Sequence, residues 1–323
     1  MSGAVEMAQS PLVVLLSAGR AHTTKSAKDT LAAFDQPEAA VDTLTELGLL
    51  SSTGGELRVL EPLRQAALLT GRKAAGTAWM AYQGFYLDMA LDRTALERPH
   101  YMRSGVGVAY HGAELSSEVG LASYLRIAHE EPIAIAIEGT RTAGEQERRG
   151  VLPAEAPELI FLHAMTEYRA GLRESAVERF RKIVDLENPE REVAIAQHLV
   201  ARSDCQTGGD QQEIKRLFAS SLASGKRRDD VFHQVHVMHS MAACIVSRRN
   251  PRLREARALL TEALTMIDDE PWQRAQLLHT LGRLDGKRGL SVARSELEES
   301  AKLGRELGRM WHVQAVERTL DGL

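Results

Sequence analysis

The chain has 323 residues, 44% of them hydrophobic and 26% charged, which is enough length for two or three domains and enough apolar material for large cores. Its formal net charge of −4 excludes a general attraction to phosphate backbones and leaves only a local basic patch for that purpose. The apolar run from Leu12 to Leu16 is too short for a bilayer and has no basic flank before it, which argues against an anchor or leader and predicts a cytoplasmic protein.

Aromatics make up only 5% of the chain while Ala, Leu, Glu and Arg abound, a mix that favours helices because unbranched side chains lose little rotamer freedom there. Cys205 and Cys244 are the two cysteines; they form no CxxC and no disulfide framework, so they read as unpaired, buried small hydrophobes in a reducing compartment.

Residues 1–73 read as a small head. Pro11 suits a first helical turn before Leu12, Val13, Leu15 and Leu16. Thr23 or Thr24 caps a second helix with Ala27, Leu31 and Phe34 at helical spacing. Asp35 or Gln36 precedes a third, Pro37 to Leu47, with Val41, Leu44 and Leu47 on one face, and Gly48 ends it in the left-handed conformation. Thr53, Gly54 and Gly55 turn between strands at Leu49–Ser51 and Leu57–Leu60. Three helices and a hairpin are the parts of a winged helix. The helix that would enter a DNA groove carries Glu38, Asp42 and Glu46 and no Lys or Arg. That works against both phosphate affinity and base reading, so Lys25 and Lys28 are the only DNA-contact candidates and DNA is the disfavoured partner.

Residues 74–150 read as a helical linker. A helix from Ala74 to Leu91 carries a core stripe of Trp79, Tyr82, Phe85, Tyr86 and Met89. Arg98 to Gly112, broken by Gly and Pro, reads as a loop; its Gly105 and Gly107 lack the third glycine and the strand–helix setting of a dinucleotide site. Helices follow from Ser116 to Glu130 and from Pro132 to Arg141, and Gly144 to Pro157 is the expected boundary.

Residues 151–323 repeat about every 40 residues, each unit pairing a small residue on one helix with a small-bulky-small pattern on the next. The first unit has Ala164, Gly171, Ala176, Phe180 and Ile183. The second places Arg202 in the small slot, turns at Gly208 and Gly209, and continues with Ile214, Phe218 and Ser221. The third has Cys244, Ala256, Leu260 and Ala263, and the fourth Gly282, Gly289, Ala293 and Leu297. Small residues let paired helices approach, and stacking buries the apolar faces that one hairpin cannot cover alone. The expected fold is therefore mainly α, a winged-helix-like head followed by a tetratricopeptide-like hairpin solenoid.

Five stretches carry a family resemblance. They are A-A-V-D-T-L-T-E-L-G-L-L (39–50), G-G-E-L-R-V-L-E-P-L-R-Q-A-A-L (54–68), Y-L-R-I-A-H-E-E-P-I-A-I-A-I-E (124–138), L-L-H-T-L-G-R-L-D-G-K-R-G (277–289) and L-E-E-S-A-K-L-G-R-E-L-G (297–308). With them the chain resembles the C-terminal winged-helix and tetratricopeptide-like region of bacterial STAND-type signal-transduction ATPases and antibiotic-regulator-type proteins. The resemblance implies a regulatory role, either as a split partner of such an ATPase or as a free-standing regulator. The chain departs from the family in having no G-x-x-x-x-G-K-[ST]. The nearest stretch, Ser220 to Lys226, lacks the first glycine, and no room for an ATPase module precedes residue 11, so no enzymatic activity and no cofactor are expected.

His233, His236 and His239 stand at i, i+3 and i+6, fanned over about 120° of a helix. They are the metal candidates, although one helix rarely aims three ligands at a point. Lys226–Arg228 and Arg248–Arg254, with Arg249 and Arg252, read as solvated turns. The pairs Glu130–Glu131, Asp229–Asp230 and Asp268–Asp269 read as helix-end carboxylates that cap or complement dipoles. The leading expectation is a repeat groove for a protein or peptide partner, with self-association left open. The alternative is a DNA-binding regulator whose repeats sense a ligand.

Overall fold

The computed structural model describes residues 11–19, 22–34, 36–37, 39–53, 55–75, 77–91, 105–247, 252–267 and 270–323. Asp35, Glu38, Gly54, residues 98–104, Arg248, Arg249, Asp268 and Asp269 lie outside them, as does the side chain of Met89. Seventeen helices and one two-stranded sheet are found among the described residues, and the chain divides into two compact units, Met1–Ala176 and Val177–Leu323.

The first unit opens with α1 (Pro11–Ala18), α2 (Thr24–Ala33), α3 (Ala40–Glu46), β1 (Leu50–Thr53), β2 (Glu56–Val59) and α4 (Glu61–Ala75). Thr23 caps α2 through a reciprocal pair: its hydroxyl accepts from the Ser26 amide at 3.1 Å, and its own amide donates to Ser26 Oγ at 2.8 Å. Gly48 leaves α3 at φ +68°, where a side chain would be strained. The strands pair Leu50 with Val59 and Thr53 with Glu56, and His22 adds a single bridge to Leu57. Val13, Leu15, Leu16, Ala27, Leu31, Val41, Leu57 and Val59 close this core.

The unit continues through α5 (Thr77–Leu91), α6 (Gly105–Leu115), α7 (Ser117–Glu130), α8 (Ile133–Arg148) and α9 (Pro157–Arg169). Trp79 and Tyr86 are buried, as the stripe predicted, with Tyr82 and Phe85 half-buried beside them.

Three expectations are corrected here. Ala74 and Ala75 end α4, and the aromatic helix begins only at Thr77. Residues 105–112 form not a loop but the body of α6, buried from Gly105 to Glu114 where it packs against α5, α7 and α8; burial outweighs the poor helix propensity of its glycines. The helix expected to stop at Arg141 runs to Arg148, so of the boundary expected at 144–157 residues 149–156 lie between helices, with positive φ at Gly150 (+68°) and Glu155 (+57°). The division between the two units falls after Ala176, inside α10 (Arg173–Phe180).

In the second unit α11 (Glu190–Thr207), α13 (Val231–Val246), α15 (Pro271–Lys287) and α17 (Met310–Leu320) are the A helices; α12 (Gln211–Arg227), α14 (Leu253–Thr265) and α16 (Val292–Glu306) are the B helices. Each A helix packs on the B helix that follows it, α12 and α14 pack on the next A helix in turn, and neighbouring A helices touch from α11 to α13 and from α13 to α15. Asp210 and Asp230 cap α12 and α13, each carboxylate accepting from amides of the first turn at 2.8–2.9 Å. Three of the four expected hairpins thus stand as packed pairs, while the helices of the first, α9 and α10, are divided between the units.

The expected B-helix positions, Ile214, Phe218 and Ser221, Ala256, Leu260 and Ala263, and Ala293 and Leu297, are all buried. The A-helix register differs by one or two residues. The buried small slot runs through Ala201, Ala242 and Gly282, not Arg202 and Cys244, and Arg202 is exposed. A Cβ on Gly282 would lie 2.6 Å from Leu297 Cγ, which shows how closely the paired helices approach there. Ala242→Leu is therefore expected to cost about 1–3 kcal/mol by overpacking. Ala243→Leu, one residue on and exposed, should stay within about 0.5 kcal/mol. Denaturant melts of the two variants check the register.

Candidate functional site

The period that stacks the helices also lines up their polar side chains. His198 of α11 meets Ser240 of α13 at 2.8 Å, His239 of α13 meets Thr280 of α15 at 2.7 Å, and His279 of α15 meets Thr319 of α17 at 3.2 Å. Thr280 and Thr319 give their one proton to carbonyls a turn back, Gln276 and Ala315, so His239 and His279 must donate from Nε2. A second series lies behind the first. Ser221 donates to the Ala194 carbonyl at 2.7 Å and accepts from His233; Ser300 donates to the Ala275 carbonyl at 2.7 Å and accepts from His312. Burial holds these imidazoles neutral, with His233, His239 and His279 each lowered to about 4.

The three metal candidates consequently point to three places. His233 faces Ser221, His236 lies edge-on to Phe232 at 4.5 Å, and His239 faces Thr280. No group of three or more metal-ligating side chains gathers among the described residues. Lys28, one of the two DNA candidates, is tied at 3.3 Å to Asp42 on α3, and Lys25 is exposed on α2.

The face made by the A helices holds a cavity of about 270 Å³ lined by Arg202, Gln206, His236, His239 and Gln276 and by a disulfide. Cys205 of α11 and Cys244 of α13 are bonded to each other with their Cα atoms 5.8 Å apart, so the expectation of two unpaired thiols is corrected. Their separation of 39 residues places them at near-equivalent positions of neighbouring A helices. Near one end of this face stands a column of aromatics, each the second residue of an A helix: Phe232 (50% exposed), Trp272 and Trp311 (60% exposed). Trp272 packs edge-to-face on Trp311 at 5.5 Å, and Arg309 covers its ring at 5.5 Å.

Sequence reasoning missed this arrangement. The signal was there: His-Ser and His-Thr dipeptides at 239–240 and 279–280, and aromatics at 232, 272 and 311, follow the same period as the packing residues. Three arginines of the basic clusters form ion pairs, while Arg248 and Arg249 lie outside the described residues. Arg227 pairs with Glu190, Arg228 with Asp230 and Arg252 with Glu255.

No protein-family model and no curated protein matches the sequence. Among solved structures the chain is similar to a signal transduction ATPase with numerous domains (STAND) protein with a tetratricopeptide repeat sensor, from Pyrococcus horikoshii. The TM-score is 0.57 and the identity 14%, over 97% of this chain and 46% of that one. The chain thus spans less than half the length of that protein. The likeness is one of fold, a tetratricopeptide-like helical repeat. No helix among the described residues is long and apolar enough to cross a membrane.

Two outcomes are expected. Reducing the bridge, or replacing both cysteines by serine, removes a cross-link of 39 residues and should cost roughly 2–4 kcal/mol of stability, read by denaturant melts with and without dithiothreitol. Lowered histidine pKa values mean that the unfolded chain binds more protons than the folded one between about 4 and 6.5, so their contribution to stability falls as pH drops through that window. Glu296, pushed up to about 7 by burial and by the Asp285 carboxylate, acts in the opposite sense. Thermal midpoints between pH 7.5 and 5 should therefore fall less steeply in His239→Gln, which keeps a donor for Thr280, and more steeply in Glu296→Gln.

Proposed function

We propose that this chain is a non-enzymatic regulatory module whose A-helix face holds an extended segment of a protein partner, and whose head is a winged helix that serves contact with protein and not with DNA. The observation that carries the reading is the aromatic column Phe232, Trp272 and Trp311. Three neighbouring repeats keep a large ring at the same place, two of them half exposed or more, although folding gains nothing from leaving such rings in water. The solved structure it resembles uses its repeats as a sensor in a signalling ATPase, which supports a sensing role for this face. The sequence carries no phosphate loop, so the role proposed for these residues involves no nucleotide turnover of their own.

The DNA reading has less support. Lys28 already spends its charge on Asp42 of the helix that would enter the groove. Pairing of this kind leaves little for the phosphate contacts on which such complexes rest.

Trp79 is buried in the first unit, so in a Trp79→Phe background the intrinsic fluorescence reports Trp272 and Trp311 alone. Peptides selected from a random 12-residue display library against the whole chain should shift that emission, and Trp311→Ala should weaken them about tenfold or more. Peptides that bind equally well to Trp311→Ala and Phe232→Ala would place the partner elsewhere. A mobility shift on DNA that Lys25→Glu with Lys28→Glu abolishes would restore the DNA reading.

A further inference from the structure

We infer that the cavity beside the disulfide is a subsite for one carboxylate of the bound polypeptide, gripped by Arg202 and His236. The inference rests on the groove reading above and names the chemistry that it selects.

Two donors in that cavity have nothing to donate to. Arg202 is exposed at its edge and makes no hydrogen bond or ion pair among the described residues, unlike Arg181, Arg216, Arg227, Arg257 and Arg274 of the same unit, each of which is paired. His236 touches Phe232 with its ring, and neither of its nitrogens has a hydrogen-bond partner among the described residues. The guanidinium is close enough to disfavour protonation of His198, His236 and His239 together. The carboxylate that His236 does feel, Asp230, is spent on Arg228 at 3.3 Å and on the first turn of α13. No Asp or Glu lines the cavity.

A fixed positive charge, a spare N–H and the carboxamides of Gln206 and Gln276 make a receptor for a compact anion that accepts several hydrogen bonds. One guanidinium balances the single charge of a carboxylate, whereas nucleic acid would need a row of such groups. The volume of about 270 Å³ lies below the roughly 300–1,000 Å³ of small-molecule sites. It suits one side chain or chain end of a larger partner running on toward the aromatic column. Arg283 repeats the motif: it follows the small slot at Gly282 as Arg202 follows Ala201, and it too is unpaired among the described residues.

The test uses the whole chain with isotope-labelled histidine, the His236 imidazole followed by NMR at pH 7 and constant ionic strength. The probes are sodium acetate, the blocked peptide acetyl-Ala-Glu-Ala-amide and its Gln counterpart. The Glu peptide should shift His236 saturably, at a concentration roughly tenfold below that needed for acetate; the Gln peptide should leave it unmoved. Arg202→Gln should abolish the shift while the His312 resonance, held by Ser300 away from the cavity, stays in place and shows the fold intact. Three results would overturn the inference: no saturable shift with either carboxylate, a shift that survives Arg202→Gln, or acetate binding as tightly as the peptide, which would point to a free small acid instead. Display-selected peptides that shift the tryptophan emission equally in the wild type and in Arg202→Gln would leave the groove standing and remove the carboxylate subsite alone.

Discussion

Everything in the second unit depends on how close an A helix can come to its B helix. Where Gly282 faces Leu297 there is no space for even a methyl group, and Ala201 and Ala242 hold the same place in the two preceding pairs. Packing densities inside proteins leave no slack at such a crossing, so a small residue there sets the distance and rotation of the pair. Once that is set, the opposite side of each A helix is set too. Histidine, hydroxyl and aromatic positions then fall into rows across neighbouring repeats without any further instruction.

The rows are costly to keep. Each imidazole in the His–Ser/Thr series is desolvated enough to stay neutral well below its ordinary pKa, and burial of that kind is tolerated only when the ring nitrogens are hydrogen-bonded. Most of them are. Ser221 and Ser300, 79 positions apart, carry the same double duty toward a carbonyl and a histidine, which marks a structural device repeated with the fold. Arg202 and His236 lie beside this series without a hydrogen-bond partner among the described residues, as Arg283 does.

How much of this was legible in the sequence depends on the range of the interaction. Local signals read well: the Thr23 cap, the left-handed Gly48, the hairpin at residue 55 and the B-helix positions all lie where spacing placed them. What failed was long-range. Gly105 and Gly107 looked like breakers until the neighbours that bury α6 were known. Cys205 and Cys244 looked independent because spacing along the chain says nothing about neighbouring helices until the repeat register is right. The register itself slipped by one residue at Arg202. A cation next to a small residue, as in Ala201–Arg202 and Gly282–Arg283, cannot be assigned to the crossing or to the open face from composition alone.

The head shows the same logic at the level of domains. Its three helices and hairpin have a core of their own, which favours a boundary near residue 73. Yet Arg64 of α4 is buried against Glu145 of α8 and the Tyr110 hydroxyl of α6, both at 3.0 Å, and Tyr110 is shared with Arg149, which in turn pairs with fully buried Glu114 at 2.9 Å. Removing one member of such a set strands a charge in the interior, a penalty of about 3–5 kcal/mol, so separating α4 from α6 and α8 is far dearer than bending an exposed linker. The head and helices α5 to α9 therefore behave as one body, consistent with a division that falls at Ala176.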